Sequence, residues 1–238
     1  MILGKLLIFE LMKKIFSVLL AITIAQLSIA QTTKVVIETD SGKIVMELYD
    51  NTPLHRDNMI KLVKQKFFDS LLFHRCIPGF VIQGGDPDSK RAIAGQMLGN
   101  GDLGYKVPAE INDSNYHQRG AVGMARDNNP DKASSACQFY IVTGKVNNDQ
   151  ELDMYSQRSG RIFTPAQREM YKTQGGTAML DGNYTVYGKV LEGMDVVDKI
   201  ANMPRGKEDR PLTDIRMNKV YILEQPSPKG KKKVKKKR

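Results

Sequence analysis

Phe73-His74-Arg75-Cys76-Ile77-Pro78-Gly79-Phe80-Val81-Ile82-Gln83-Gly84-Gly85-Asp86-Pro87 carries most of the fold information in this chain. Apolar residues dominate both halves, Pro78-Gly79 breaks them, and Gly84-Gly85-Asp86-Pro87 stops them. That pattern predicts strand, turn, strand, turn. Arg75 and Gln83 are polar positions inside otherwise apolar strands. Burying an unpaired guanidinium is costly, so Arg75 either points outward from an edge strand or is placed for a purpose.

The flanking sequence extends the same reading. Residues 33–49 predict a hairpin, with Val35, Ile37, Ile44, Met46 and Leu48 at period two and Asp40-Ser41-Gly42 as the turn. Thr52-Pro53 predicts a helix start, threonine capping and proline in the first helical position. Residues 92–120 are rich in Gly, Asp and Asn and predict loop. Short strands follow near 121–125 and 138–143. In the second, alternation puts Gln138 and Tyr140 on one face and Cys137 and Phe139 on the other. Residues 144–176 are polar, and Thr164-Pro165-Ala166-Gln167 has capping-box form, which predicts a helix from Pro165 to about Lys172 ending at Gly175-Gly176. Thr185–Val190 predicts a strand, Gly193–Ile200 a helix, and residues 215–223 a last strand. Many short strands with two flanking helices predict a mainly β fold, a closed antiparallel barrel capped by helices and carrying a helical insertion at 144–176.

Charge is concentrated at the two ends. Of the net +10, residues 1–30 hold +2 and residues 229–238 hold +8, which leaves 31–228 neutral. A domain whose whole face grips nucleic acid therefore loses most of its support, and no specific nucleic-acid partner is expected. Met12-Lys13-Lys14, the apolar run Ile15–Leu27 and the small residues of Ser28-Ile29-Ala30 form a signal-peptide pattern, with cleavage expected after Ala30. Met12 fits the true start better than Met1. The run is short for a membrane span, and an uncleaved anchor is the alternative. Periplasmic or secreted localisation follows. The lysine tail after Pro226-Ser227-Pro228 predicts a disordered end (226–238) suited to an anionic membrane surface, with residues 31–225 as the folded domain. Two cysteines are too few for a disulfide framework, and three scattered histidines make no metal-binding helix, so neither metal nor cofactor is expected.

The ordered blocks F-H-R-x-I-P-G-F-x-x-Q-G-G-D-P, G-M-A-R (Gly123–Arg126), Q-F-Y-I (Gln138–Ile141) and L-D-G-N-Y-T-V-Y-G-K-V (Leu180–Val190) resemble the cyclophilins, peptidyl-prolyl cis/trans isomerases, over about Val35–Glu224. The resemblance implies an eight-stranded antiparallel barrel with a helix at each end and the substrate groove on its outer face. It makes Arg75 the catalytic arginine. Phe80 and Val81 become the floor and side of a proline pocket, and Gln83 and Gln138 amides that bind substrate or hold the arginine. Ala125 and Arg126 fall on the segment that pairs with the peptide backbone. Leu180 matches a pocket wall, Tyr140 stands where phenylalanine is usual, and Val81 where methionine is. Met179 replaces a common tryptophan or histidine, and Tyr184 a common histidine.

By that resemblance the expected partners are proline-containing unfolded or exported polypeptides, met by a monomer. Two other classes compete, a proline-binding module without catalysis and a holding chaperone for secreted chains. Arg75 together with Phe80 and Gln83 favours the enzyme. Two features stay open on sequence alone. Residues 144–176 are either a capped surface excursion or a substrate-selecting flap, and Cys76 and Cys137 either pair or remain buried thiols.

Overall fold

In the computed structural model, which describes residues 32–223, the expected hairpin forms from β1 (Lys34–Thr39) and β2 (Gly42–Leu48). Val35 faces Met46 and Ile37 faces Ile44 across it, and all four side chains are fully buried. Helix α1 (Pro53–Lys64) follows. Thr52 precedes it as expected but does not cap it. Its hydroxyl donates to the Tyr49 carbonyl, and the first-turn N–H groups of Leu54 and His55 donate instead to the Glu110 carboxylate, at 3.0 and 2.9 Å. A distant acid thus does the work of a local cap.

Strands β3 (Phe73–Ile77) and β4 (Val81–Gly84) pair around the Pro78-Gly79 turn. The loop region contains only β5 (Lys106–Val107), paired with β7 (Ser134–Ser135). Strands β6 (Ala121–Met124) and β8 (Phe139–Val142) occupy the expected places. Two helices come next, α2 (Asp149–Ser159) and α3 (Pro165–Thr173). Then β9 (Val186–Glu192), α4 (Met194–Ala201) and β10 (Met217–Ile222) complete the order.

The eight long strands form one antiparallel sheet in the order β10-β1-β2-β9-β6-β8-β4-β3. Its inner face, with α1 and α4 packed on it, holds the main core, from Val35 and Phe73 to Ile141 and Val197. The expected closed barrel is not what is seen: the sheet is open between β3 and β10. One isolated bridge, Leu72–Arg216, backbone bonds from Ser70, Phe73 and Met217, and side-chain bonds Arg216–Ser70 and Asp69–Val220 span that seam. β10 begins at Met217, opposite Ser70 and Leu71, and the residues before it hold Pro211 and a 3₁₀ turn, so most of β3 meets no strand on that side; β3 is also bulged toward β4. Phe73 pairs with Gly84 and Arg75 with Gln83, so His74 is an extra residue on the β3 side. Such a bulge bends and twists a strand and interrupts its ladder. Beyond Phe73, a short 3₁₀ turn at Lys207–Asp209 lies against β3 and covers its free edge.

The insertion holds two helices rather than the single one expected. Each opens with a full capping box, Asn148 with Glu151 and Thr164 with Gln167. Leu152, Phe163, Tyr171 and Ala178 form a small core of their own, with Tyr116 and Tyr155 packed against it. The two ends of the insertion meet. Lys145 and Gly176 exchange backbone bonds of 3.2 and 2.9 Å. Any Cβ on Gly176 would sit 2.3 Å from the His117 carbonyl oxygen, so this crossing requires glycine. The expected signal sequence (1–30) and lysine tail (226–238) lie outside the described residues. Among the described residues, no helix is long and apolar enough to cross a membrane.

Candidate active site

The bulge at His74 decides where Arg75 points. Phe73 and Cys76 both face the main core, and the extra residue between them turns Arg75 to the outer face. There a second apolar cluster covers the sheet: Val81, Ala121, Tyr140, Val142 and Val186, with Phe80, Ala125, Leu180 and Tyr184 packed against it. Arg75, Phe80, Val81, Gln83, Ala125, Arg126, Tyr140, Leu180 and Tyr184 line one cavity of about 160 Å³. Drug-sized sites run to roughly 300–1,000 Å³, so this one suits a single small ring.

The Arg75 guanidinium lies 5.7 Å from the Phe80 ring centroid, and its Nε is 4.0 Å from an Asp209 carboxylate oxygen. Asp209 arrives on the 3₁₀ turn that covers the β3 edge. Gln83 donates to Gln138 at 3.0 Å, and Gln138 donates in turn to the carbonyls of Gly99 and Gly101. The two amides therefore anchor each other and the 99–101 loop rather than the arginine. Gln138 lines a neighbouring cavity of about 340 Å³, which shares Gln83, Ala125 and Arg126 with the first. Arg126 donates to the Asn183 carbonyl at 2.8 Å and lies 4.9 Å from the Tyr184 ring centroid. Met179 is 52% exposed and is not among the residues lining the cavity.

A cavity of about 600 Å³ between residues 94–98 and 206–214 is larger; Arg210 in its lining pairs with Asp214 at 2.8 Å, and His74, also in the lining, has both ring nitrogens without a hydrogen-bond partner among the described residues. The smaller cavity gathers a half-exposed guanidinium, an amide and apolar walls. Among the described residues, no three His, Cys, Asp or Glu side chains come together as metal ligands would.

The model of the cyclophilin type peptidyl-prolyl cis-trans isomerase family matches residues 34–222. The chain belongs to the cyclophilin family. Its relatives include a putative peptidyl-prolyl cis-trans isomerase of Staphylococcus aureus, 31% identical over 80% of this chain and 92% of that protein. A putative bifunctional phosphatase/peptidyl-prolyl cis-trans isomerase of Streptococcus pyogenes is also 31% identical over 80% of this chain, which spans only 39% of that longer protein. A crystal structure of a Cryptosporidium parvum cyclophilin type peptidyl-prolyl cis-trans isomerase superposes with a TM-score of 0.60 at 24% identity, covering 82% of this chain and all of that one. That likeness supports the fold alone. The family and its named relatives make this protein a peptidyl-prolyl cis-trans isomerase by class.

Two buried groups in this cyclophilin were not read from its sequence. His55 bonds to Glu110 at 2.6 Å and to Ser134 at 3.0 Å. The order of partners is that of a hydrolytic triad, but Ser134 and His55 are fully buried, and Glu110 also holds the start of α1. The group is a structural brace. His117, Asp181 and Tyr171 form a second network, which reaches the Tyr140 hydroxyl. Each of these residues stands alone in its stretch of sequence; only the fold brings them together. The two cysteines, left open on sequence alone, do not pair. Cys76 and Cys137 are both free and buried in the main core, and burial pushes their thiols up to about 12 and 11.

His74 gives a pH prediction. It is 3% exposed, and burial lowers its imidazole to about 4 from the ordinary 6.5, with Asp86 opposing the shift and Arg75 and Arg210 adding to it. Between those two values the unfolded chain takes up a proton that folded His74 refuses. Stability should therefore fall as pH drops through that window, by up to about 3 kcal/mol from this group, and be unaffected by it above. His74→Asn is expected to flatten the slope of the urea midpoint between about pH 6.5 and 4. An equal slope in both proteins would remove His74 from the account.

Proposed function

We propose that this protein speeds rotation about X–Pro bonds in polypeptides exported from the cytoplasm, acting as a monomer, with Arg75 stabilising the twisted amide. The observation that carries the reading is the meeting of the Arg75 guanidinium with the apolar walls Phe80, Val81, Tyr140 and Leu180 in one small cavity. The amide resists rotation because its nitrogen lone pair is delocalised, a barrier of about 18–20 kcal/mol. No bond is made or broken, so the catalyst need only favour the twisted state, in which the nitrogen is pyramidal and its lone pair is free. A guanidinium donates to that lone pair only when conjugation is lost, so the interaction strengthens in the transition state. Arginine suits this role, being permanently charged, planar and rich in donors.

The apolar walls hold the pyrrolidine ring while the acyl side turns. Both backbone groups of Ala125 are used inside the fold, its N–H by Gln138 and its carbonyl by Ser135. Pairing with the peptide main chain is therefore left to Arg126 and to the second lone pair of the Ala125 carbonyl. A protease-coupled isomerisation assay on residues 31–238 tests the proposal. Binding of an Ala-Pro peptide with no acceleration would leave a proline-binding module instead.

Export rests on the signal pattern of residues 12–30, and contact with an anionic membrane surface on the lysines of 229–238. Removing 229–238 takes away +8 of net charge. The truncated protein is expected to keep full activity on a short neutral peptide and to lose sedimentation with phosphatidylglycerol vesicles. In the intact protein that sedimentation should weaken with salt, since screening acts over roughly 8 Å at physiological ionic strength. Equal vesicle binding by the truncated protein would place the contact elsewhere.

A further inference from the structure

The insertion reaches the cavity through side chains rather than by covering it. Tyr171, on α3, donates its hydroxyl to Asp181 Oδ2 at 2.6 Å. Asp181 Oδ1 accepts from His117 twice, from the backbone N–H at 2.9 Å and from Nδ1 at 2.6 Å. His117 Nε2 is 2.8 Å from the Tyr140 hydroxyl. With Nδ1 held against the Asp181 carboxylate, Nε2 is left to bond the Tyr140 hydroxyl, which can act as donor or acceptor. All four residues are at most 3% exposed. Burial raises the Tyr140 hydroxyl well above its ordinary range, so it keeps its proton. A carboxylate this deep requires partners, and Arg161 Nε adds a positive charge 3.9 Å from Oδ2.

The far end of this chain of bonds is a wall of the cavity. The Tyr140 ring lies across Gly123, where a Cβ would come within 2.3 Å of it, and stacks on the His117 ring at 5.9 Å and 17°. Asp181 follows Leu180, a second wall residue, directly in sequence. We propose that the 144–176 insertion is a fixed buttress whose Tyr171, acting through Asp181 and His117, positions Tyr140 and thereby sets how tightly the cavity grips its occupant. Tyr171, Asp181 and His117 are positioning residues. The reading rests on the proposed groove function and deepens it. The insertion's own core, paired capping boxes and stitched base belong to a rigid support, not to a flap.

The test is a double-mutant cycle between Tyr171→Phe and Tyr140→Phe. Affinity is read by titrating an Ala-Pro tetrapeptide, turnover by the coupled assay. Tyr171→Phe removes one hydroxyl. It is expected to weaken peptide binding about threefold to tenfold while leaving kcat within twofold. In the Tyr140→Phe background, where the relay no longer reaches the wall, the same change should alter affinity by less than 1.5-fold. Unchanged affinity in the single variant, or an equal loss in both backgrounds, overturns the proposal, because a merely structural hydroxyl would act alike in both. Aromatic NMR shifts of the Tyr140 ring give an independent readout. They should move in Tyr171→Phe even if the wild-type protein proved inactive on X–Pro bonds, an outcome that would remove the groove reading and not the relay. An unmoved Tyr140 ring would remove the relay.

Discussion

Arg75→Ala is expected to lower kcat/KM on an X–Pro tetrapeptide by about 10²-fold, the scale of losing one donor aimed at transition-state charge. Peptide affinity should change by less than about threefold, because the apolar walls that hold the ring are untouched. The half-exposed guanidinium projects from a sheet edge and packs on Phe80 without supporting the core, so the melting temperature should stay close to that of the parent. Arg75→Lys keeps the charge and loses the planar fork, and should recover only part of the rate. Coupled assays beside peptide titrations separate the two quantities. Near-normal turnover in Arg75→Ala would end the twisted-amide mechanism, and a loss confined to affinity would make Arg75 a binding residue.

The largest expected loss of stability lies away from the cavity. Glu110 Oε1 accepts from the Leu54 N–H, and Oε2 accepts from both the N–H and Nδ1 of fully buried His55. Glu110→Ala strips the start of α1 of its acceptor and leaves a sealed imidazole without its partner. Loss of a cap costs about 0.5–2 kcal/mol, and an orphaned buried donor about 1–3 kcal/mol. Together they predict a loss of about 3 kcal/mol. At roughly 2–4 °C per kcal/mol for a chain of this size, melting should fall by about 6–12 °C. Glu110→Gln retains one acceptor oxygen and should lose less. A melt within 2 °C of the parent would show that Thr52 or water caps α1 after all.

How much of this was legible in the sequence depended on whether the signal was local. The 33–49 hairpin was, because its period-two apolar residues become the cross-strand pairs. So was the split of Gln138 and Tyr140 from Cys137 and Phe139, which alternation fixes. Helix α2 was not, because it buries only Leu152 and offers little apolar periodicity. Its capping box, Asn148 with Glu151, was the signal that could have found it. The cap on α1 was misassigned to Thr52 because the true acceptor is more than fifty residues away. The cavity was nearly all legible through resemblance, yet Met179 lies outside its lining. The resemblance also suggested a closed barrel, whereas the sheet is open at β3, the strand bulged at His74. Spacing does not resolve such a bulge, since the broken alternation of Phe73-His74-Arg75-Cys76-Ile77 fits an arginine pointing out from a regular edge strand as well.

The sheet joins the earliest described strand to the latest. β1 pairs with β10 from Val35–Ile222 to Thr39–Met217, across some 180 residues of chain. Contacts so distant in sequence slow folding, because the loop must close before the pairing contributes anything. A chain delivered amino end first, from a ribosome or a translocation pore, holds one side of β1 open until residues 217–222 emerge. During that interval it presents an unpaired, apolar template that any neighbouring extended chain can join. This isomerase therefore reaches its own native state late, and for the whole of its delivery it belongs among the vulnerable chains it is proposed to serve.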